Sequence, residues 1–187
     1  MGDPTNSDAK SPPRHRVIIL GAGKPARSAA PAALALVEGS TRVMDWLLNA
    51  FSVLPDPSVH FISGYRHLDL LATYPGVSFT HNPAWQSTGP AGSLAVAPLA
   101  SAEATWVSYS DVVFRSSIVQ RLTQHDADLV LAVDTDWRAR YDARAGAQIT
   151  GAEKVVLAQQ PQQDGGLVTR IGRDIDTDDA AAEFVGL

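Results

Sequence analysis

The chain has 187 residues, enough for one domain with a sizeable core, and its 45% apolar and 19% charged residues are ordinary for a soluble globular protein. A formal net charge of −5 with scattered basic residues disfavours a nucleic-acid partner, and the lack of cysteine excludes disulfides, thiolate zinc sites and a cysteine nucleophile. No apolar run reaches the roughly 18 residues that span a bilayer, and the start lacks the charged-then-apolar order of a secretory signal, so a cytoplasmic location without a membrane partner is expected.

Residues 1–16, rich in Asp, Ser, Asn and Pro, read as a disordered tail, and residues 17–187 as one domain. From Val17 onward, short β-rich runs alternate with helical patterns. This predicts an α/β fold, a Rossmann-like, mainly parallel sheet with helices on both faces. The expected strands are Val17–Leu20, Val59–Ser63, Val77–Thr80, Thr105–Tyr109 and Leu129–Val133. The i, i+3, i+4, i+7 spacing of Met44, Leu47, Leu48 and Phe51 predicts an amphipathic helix, which Pro55-Asp56-Pro57 separates from the second strand. Shorter helices are expected at Leu68–Ala72, Ser93–Leu99 and Ser116–Leu122. A hairpin is expected from Lys154–Leu157 and Leu167–Ile171, joined by the polar stretch 159–166.

Open parallel sheets bind ligands beyond the carboxyl ends of their strands, so the residues just past each strand are the candidates for chemistry. After the first come Gly21-Ala22-Gly23-Lys24-Pro25-Ala26-Arg27, small residues that let backbone N–H groups approach a polyphosphate, with two cations beside them. The spacing fits neither G-x-x-x-x-G-K-[ST] nor, with Ala26 at the third glycine, the dinucleotide loop. Gly64-Tyr65-Arg66 comes after the second strand, and His81-Asn82-Pro83 and then Thr88-Gly89-Pro90-Ala91-Gly92-Ser93 after the third. That last segment reads either as a turn capped by Ser93 or as bulk-free backbone for a flat base. Asp111, after the fourth strand and between apolar stretches, must find a cation or hydrogen-bond donors. It reads as a turn residue or as a Mg²⁺ ligand whose hard oxygen joins metal to triphosphate. Asp134-Thr135-Asp136-Trp137 comes after the fifth strand. An aromatic beside carboxylates suits an ammonium group and Arg144 suits a phosphate or phosphonate, the alternative being a solvated loop with surface ion pairs. The five histidines show no metal spacing, and no serine lies in a G-x-S-x-G elbow, so a hydrolase triad has no support.

With Leu20, Ala22, Gly23 and Arg27 in place, the first loop resembles the L-x-A-G-x-G-x-R loop of the nucleotidyltransferases, Pro25 standing at the second glycine. Thr88-Gly89-Pro90-Ala91 resembles their base-holding T-G-x-A segment, and Tyr109-Ser110-Asp111-Val112-Val113-Phe114 resembles the metal-binding segment of the phosphocholine cytidylyltransferase branch. Asp134–Trp137 with Tyr141 and Arg144, Ala152–Val155 and Glu183–Leu187 resemble segments of the phosphocholine and phosphonate cytidylyltransferases. The resemblance implies a fold of the nucleotide-diphospho-sugar transferase type. It implies transfer of CMP from CTP to a small phosphorylated or phosphonylated acceptor, with release of pyrophosphate. Leu20, Gly21, Ala22 and Gly23 would then hold the nucleotide's phosphates, and Thr88, Gly89, Ala91 and Gly92 its base. Lys24 and Arg27 would be the catalytic cations, Asp111 the Mg²⁺ ligand, and Asp134, Asp136, Trp137, Arg144 and Glu183 the acceptor's border.

Three departures accompany it. Pro25 removes an N–H donor, Ala32 comes after Pro31 where the relatives carry a lysine, and Leu187 is the last residue where they continue to a second metal-binding aspartate. These departures keep open a catalytically impaired nucleotide-binding module with a regulatory or assembly role, and a homo-oligomer or second chain that completes the site. A dinucleotide-binding reductase is disfavoured, because Ser63-Gly64 stands where an acidic residue would close the second strand.

Overall fold

The structure, a computed structural model, describes residues 14–99, 102–141, 146–158 and 165–187. The tail as far as residue 13, Arg144 and most of the expected hairpin connection lie outside the described residues. The chain divides into two compact units, Met1–Gln120 and Arg121–Leu187.

The first unit is built on four parallel strands, β1 (His15–Gly21), β4 (Pro57–Ser63), β5 (Ser78–His81) and β6 (Ala104–Tyr109), in the order β5-β4-β1-β6. The expected parallel α/β sheet is what forms. Val17 to Leu20 are buried on both faces of the central strand, which is why that run is continuously apolar. α1 (Val43–Phe51) covers one face with Val43, Met44, Leu47, Ala50 and Phe51, and its Phe51 ring meets Trp106 of β6 edge-on at 6.1 Å. On the other face Leu94 and Ala97, in and just after α3 (Pro90–Ala95), pack on Ile18, Leu20 and Ile62. The remaining helices are α2 (His67–Thr73) and α4 (Ser116–Leu122). A small hairpin of β2 (Leu36–Glu38) and β3 (Thr41–Arg42), which the local pattern does not predict, turns at Gly39, whose φ of +55° suits a residue without Cβ. The chain runs from β1 to β4 and β5 on one side and returns to β6 on the other, so the order reverses at the carboxyl ends of β1 and β6.

His60 and His67 lie in this unit. Burial, and then the Arg16 charge, hold His60 below the ordinary histidine value; burial, and then His81, do the same for His67. His60 Nε2 is 2.8 Å from Thr80 Oγ1, and His67 Nδ1 is 2.6 Å from Ser63 Oγ. A group that binds its proton more weakly when folded favours unfolding once the unfolded chain protonates. The destabilisation therefore sets in as pH falls below about 6.5, the unfolded value, and is absent above it. Melting temperature should drop between pH 7.5 and 5.5, and His67→Gln should flatten that slope; parallel slopes for variant and parent would remove His67 as a source.

In the second unit β7 (Val133–Asp134), β10 (Ala182–Phe184), β8 (Lys154–Leu157) and β9 (Val168–Gly172) form a sheet in that order, each neighbouring pair antiparallel. The expected strand Leu129–Val133 is thus corrected. Only Val133 and Asp134 pair as a strand, in this second sheet rather than the parallel one. Its backbone partners come from the last residues, with Ala132 N–H donating to Leu187 O at 2.8 Å, and Leu129 is exposed. Among the described residues no helix is long and apolar enough to cross a membrane.

Candidate active site

At the point where the strand order reverses, the first unit carries a cleft of about 550 Å³. Leu20, Gly21, Ala22, Gly23, Lys24 and Arg27 line one side, Thr88 and Gly89 another, and Asp111 a third, so nine of the sequence-predicted residues meet there. Ligands of open α/β sheets bind at such a crevice.

The glycines of the loop differ in kind. A Cβ at Gly21 would overlap the Phe61 ring and lie 2.6 Å from Ser110 Oγ, so the fold itself requires a glycine. A Cβ at Gly23 or Gly89 would meet nothing within 4 Å, and neither residue has a positive φ. Nothing among the described residues requires a glycine at either position; each leaves bare backbone facing the cleft. Lys24 and Arg27 are exposed, and among the described residues neither makes an ion pair. The Lys24 ammonium rests 5.6 Å from the centroid of the Tyr65 ring.

Asn82 builds the opposite wall. It is buried, and its Nδ2 donates to Thr88 Oγ1 at 2.9 Å and Ser93 Oγ at 3.1 Å. Its Oδ1 accepts from Ala84 N–H at 3.0 Å, and its own N–H donates to Ser63 O at 2.7 Å. Every polar group of this side chain is thereby used to hang Thr88 and α3 on the end of β5. Ser93, read from sequence as a cap, is instead a buried residue inside α3, where Gly89 is the N-cap and Pro90 fills the first turn. Ala91 and Gly92 do not line the cleft. Gly92 accommodates the Thr88 side chain, which would lie 2.6 Å from a Cβ there. Trp85 also lines the cleft, although the sequence does not nominate it, and so do Tyr109 and Ser110, which the sequence offers only as neighbours of Asp111 in the segment resembling a metal-binding one.

Asp111 stands one residue past the point where Ser110 N–H donates to Leu20 O at 3.0 Å. The apolar stretches around it suggest a buried carboxylate; the structure leaves it exposed, with no hydrogen bond or ion pair among the described residues. No group of three or more potential metal-binding side chains occurs among the described residues.

Asp134, Asp136, Trp137 and Glu183 lie in the second unit. Asp134 and Glu183 are direct cross-strand neighbours, an unfavourable like-charge pairing that Arg140 offsets by bonding both, at 2.8 Å each. Tyr141 OH donates to the other Glu183 oxygen at 2.5 Å, and Asp136 N–H donates to Asp134 Oδ1 at 2.8 Å. Trp137 is fully buried, packed with Ala152, Ile175 and Ala180, and Arg138 already holds the cation position over its ring at 4.8 Å. It is a core residue and offers no open face to an ammonium group.

The model of one family, described as the MobA-like NTP transferase domain, matches residues 17–164, most of the chain and the whole of the cleft. No curated protein gives a significant match.

Proposed function

The chain belongs to the MobA-like NTP transferase domain family, whose reaction is nucleotidyl transfer, and on that premise we propose that it moves CMP from CTP to a small phosphorylated or phosphonylated acceptor. The observation that carries this reading is the cleft itself. Bare backbone at Gly23 and Gly89, two cations and one carboxylate that make no ion pair among the described residues surround a single space. A polyphosphate with a divalent ion satisfies all of them together.

In the proposed reaction an acceptor phosphate or phosphonate oxygen attacks the α-phosphorus of CTP. A new P–O bond forms, the bond to the β-phosphate bridging oxygen breaks, and pyrophosphate leaves with the electron pair. Positioning and charge neutralisation then carry the catalysis. Lys24 and Arg27 would counter the charge on the departing pyrophosphate, and the Gly21–Gly23 backbone would hold the phosphates. Asp111 fits a Mg²⁺ site, because that ion is commonly held by one or two carboxylates together with substrate phosphates and waters. When bound there it would neutralise charge on the reacting phosphates.

A panel of the four NTPs with Mg²⁺ and phosphorylated or phosphonylated acceptors, read out by pyrophosphate release, tests the proposal. Release with CTP and one acceptor class is the expected result. Tight nucleotide binding without release under any pairing would instead favour a binding module, a reading supported by Ala32, which lines the cleft with a methyl group where a lysine would add charge. Arg27→Ala should weaken CTP binding by roughly 1.5–3 kcal/mol, the worth of a charge-assisted contact. Calorimetry giving the parent's affinity would take Arg27 out of the site.

A further inference from the structure

The Gly64-Tyr65-Arg66 turn after β4 directs its hydrogen bonds at the loop after β1. Tyr65 N–H donates to the Ala22 carbonyl at 2.8 Å, at the start of that loop. At its end the Ala29 carbonyl accepts twice, from Tyr65 OH at 3.1 Å and from Arg66 Nη1 at 3.0 Å. Gly64 lets the two segments close on each other, since a Cβ there would lie 2.6 Å from the Ala22 carbonyl oxygen. Arg66 adopts φ +49°, a left-handed conformation that a residue with a side chain keeps only when its surroundings hold it. Its guanidinium also pairs with Asp69. Between Ala22 and Ala29 no residue belongs to a helix or strand, and Lys24 and Arg27 both lie in this span. The Tyr65 ring meanwhile carries the Lys24 ammonium.

We propose that Tyr65 and Arg66 are positioning residues, a clamp that pins the cationic loop at both ends and so sets where Lys24 and Arg27 reach. The proposal rests on the reading of that loop as a phosphate site. A segment fixed at two points samples far fewer conformations than one fixed at its root, so a clamp removes ordering entropy that nucleotide binding would otherwise have to overcome. Because two donors share the Ala29 carbonyl, loss of either alone leaves it satisfied. The clamp is therefore redundant, and its effects should be strongly non-additive.

The test uses Tyr65→Phe, Arg66→Gly and the double variant in the full chain. Phenylalanine keeps the ring beneath Lys24, and glycine suits φ +49°, so the double variant should fold. Trypsin cuts after Arg27 but not after Lys24, whose next residue is Pro25. Its rate in nucleotide-free protein therefore reports on the loop independently of function. The double variant should be cut at Arg27 about tenfold faster and bind CTP about tenfold more weakly, with each single variant within about threefold of the parent. The parent's cleavage rate in the double variant would overturn the clamp. Faster cleavage with unchanged CTP affinity would leave the clamp standing as a structural element and overturn its role in binding, whereas the reading of the loop as a phosphate site falls separately, if Arg27→Ala keeps the parent's CTP affinity.

Discussion

The Asp111→Asn protein should melt as the parent does and lose Mg²⁺-dependent turnover by about a hundredfold or more. Stability should be unchanged because the carboxylate is exposed and, among the described residues, bonds to nothing, while the amide keeps its shape. Its charge should matter with opposite signs in two conditions. Without divalent ions, an unpaired carboxylate in a phosphate cleft repels the triphosphate, so the variant should bind CTP more tightly than the parent. With Mg²⁺ present the carboxylate becomes a ligand, and the variant should bind more weakly. Calorimetry with chelator and with Mg²⁺ should therefore show the two affinities crossing. Identical affinities in both conditions would make Asp111 a turn residue.

The parts of the fold legible in the sequence are those decided by neighbouring residues. α4 has the bounds Ser116–Leu122 and β8 the bounds Lys154–Leu157 that local pattern predicts, and β1 extends the predicted strand to His15–Gly21. β7 escapes local pattern because its pairing depends on partners near the end of the chain, and Ala132 beside it finds its own in Val185 and Leu187. Trp137 misleads in the same way. Flanked by Asp136 and Arg138 it reads as exposed, yet a short helical turn at Trp137–Arg140 carries it onto Ala152, Ile175 and Ala180, residues the local pattern does not connect to it. The cleft is legible as a convergence of strand ends, whereas the scaffold behind it is not. Asn82 looks like an ordinary loop asparagine until burial shows that its side chain holds Thr88 and Ser93. Tyr65 looks like a surface aromatic until its hydroxyl is found on Ala29.

Gly21→Ala and Gly23→Ala are closely spaced changes expected to fail in opposite ways. At position 21 the new methyl group meets the Phe61 ring and Ser110 Oγ, in a strand end pinned between β4 and β6 and unable to move aside. Overpacking of that kind costs about 1–3 kcal/mol, which lowers the melting temperature by several degrees in a chain of this size. At position 23 the methyl group enters open space, φ is not positive, and replacing glycine by alanine there should leave the melting temperature unchanged or slightly raised. What it removes is close access to the backbone. If the Gly23 peptide lies against phosphate, CTP affinity should fall about tenfold or more, because a methyl group between N–H donors and an anion lengthens every contact. Gly89→Ala, equally open and across the cleft, should behave as Gly23→Ala does. Thermal melts and calorimetry on the three variants separate the two roles. A stable Gly23→Ala protein with the parent's affinity would mean that the loop's bare backbone does not touch the nucleotide. The two cations would then be left as its only means of holding phosphate.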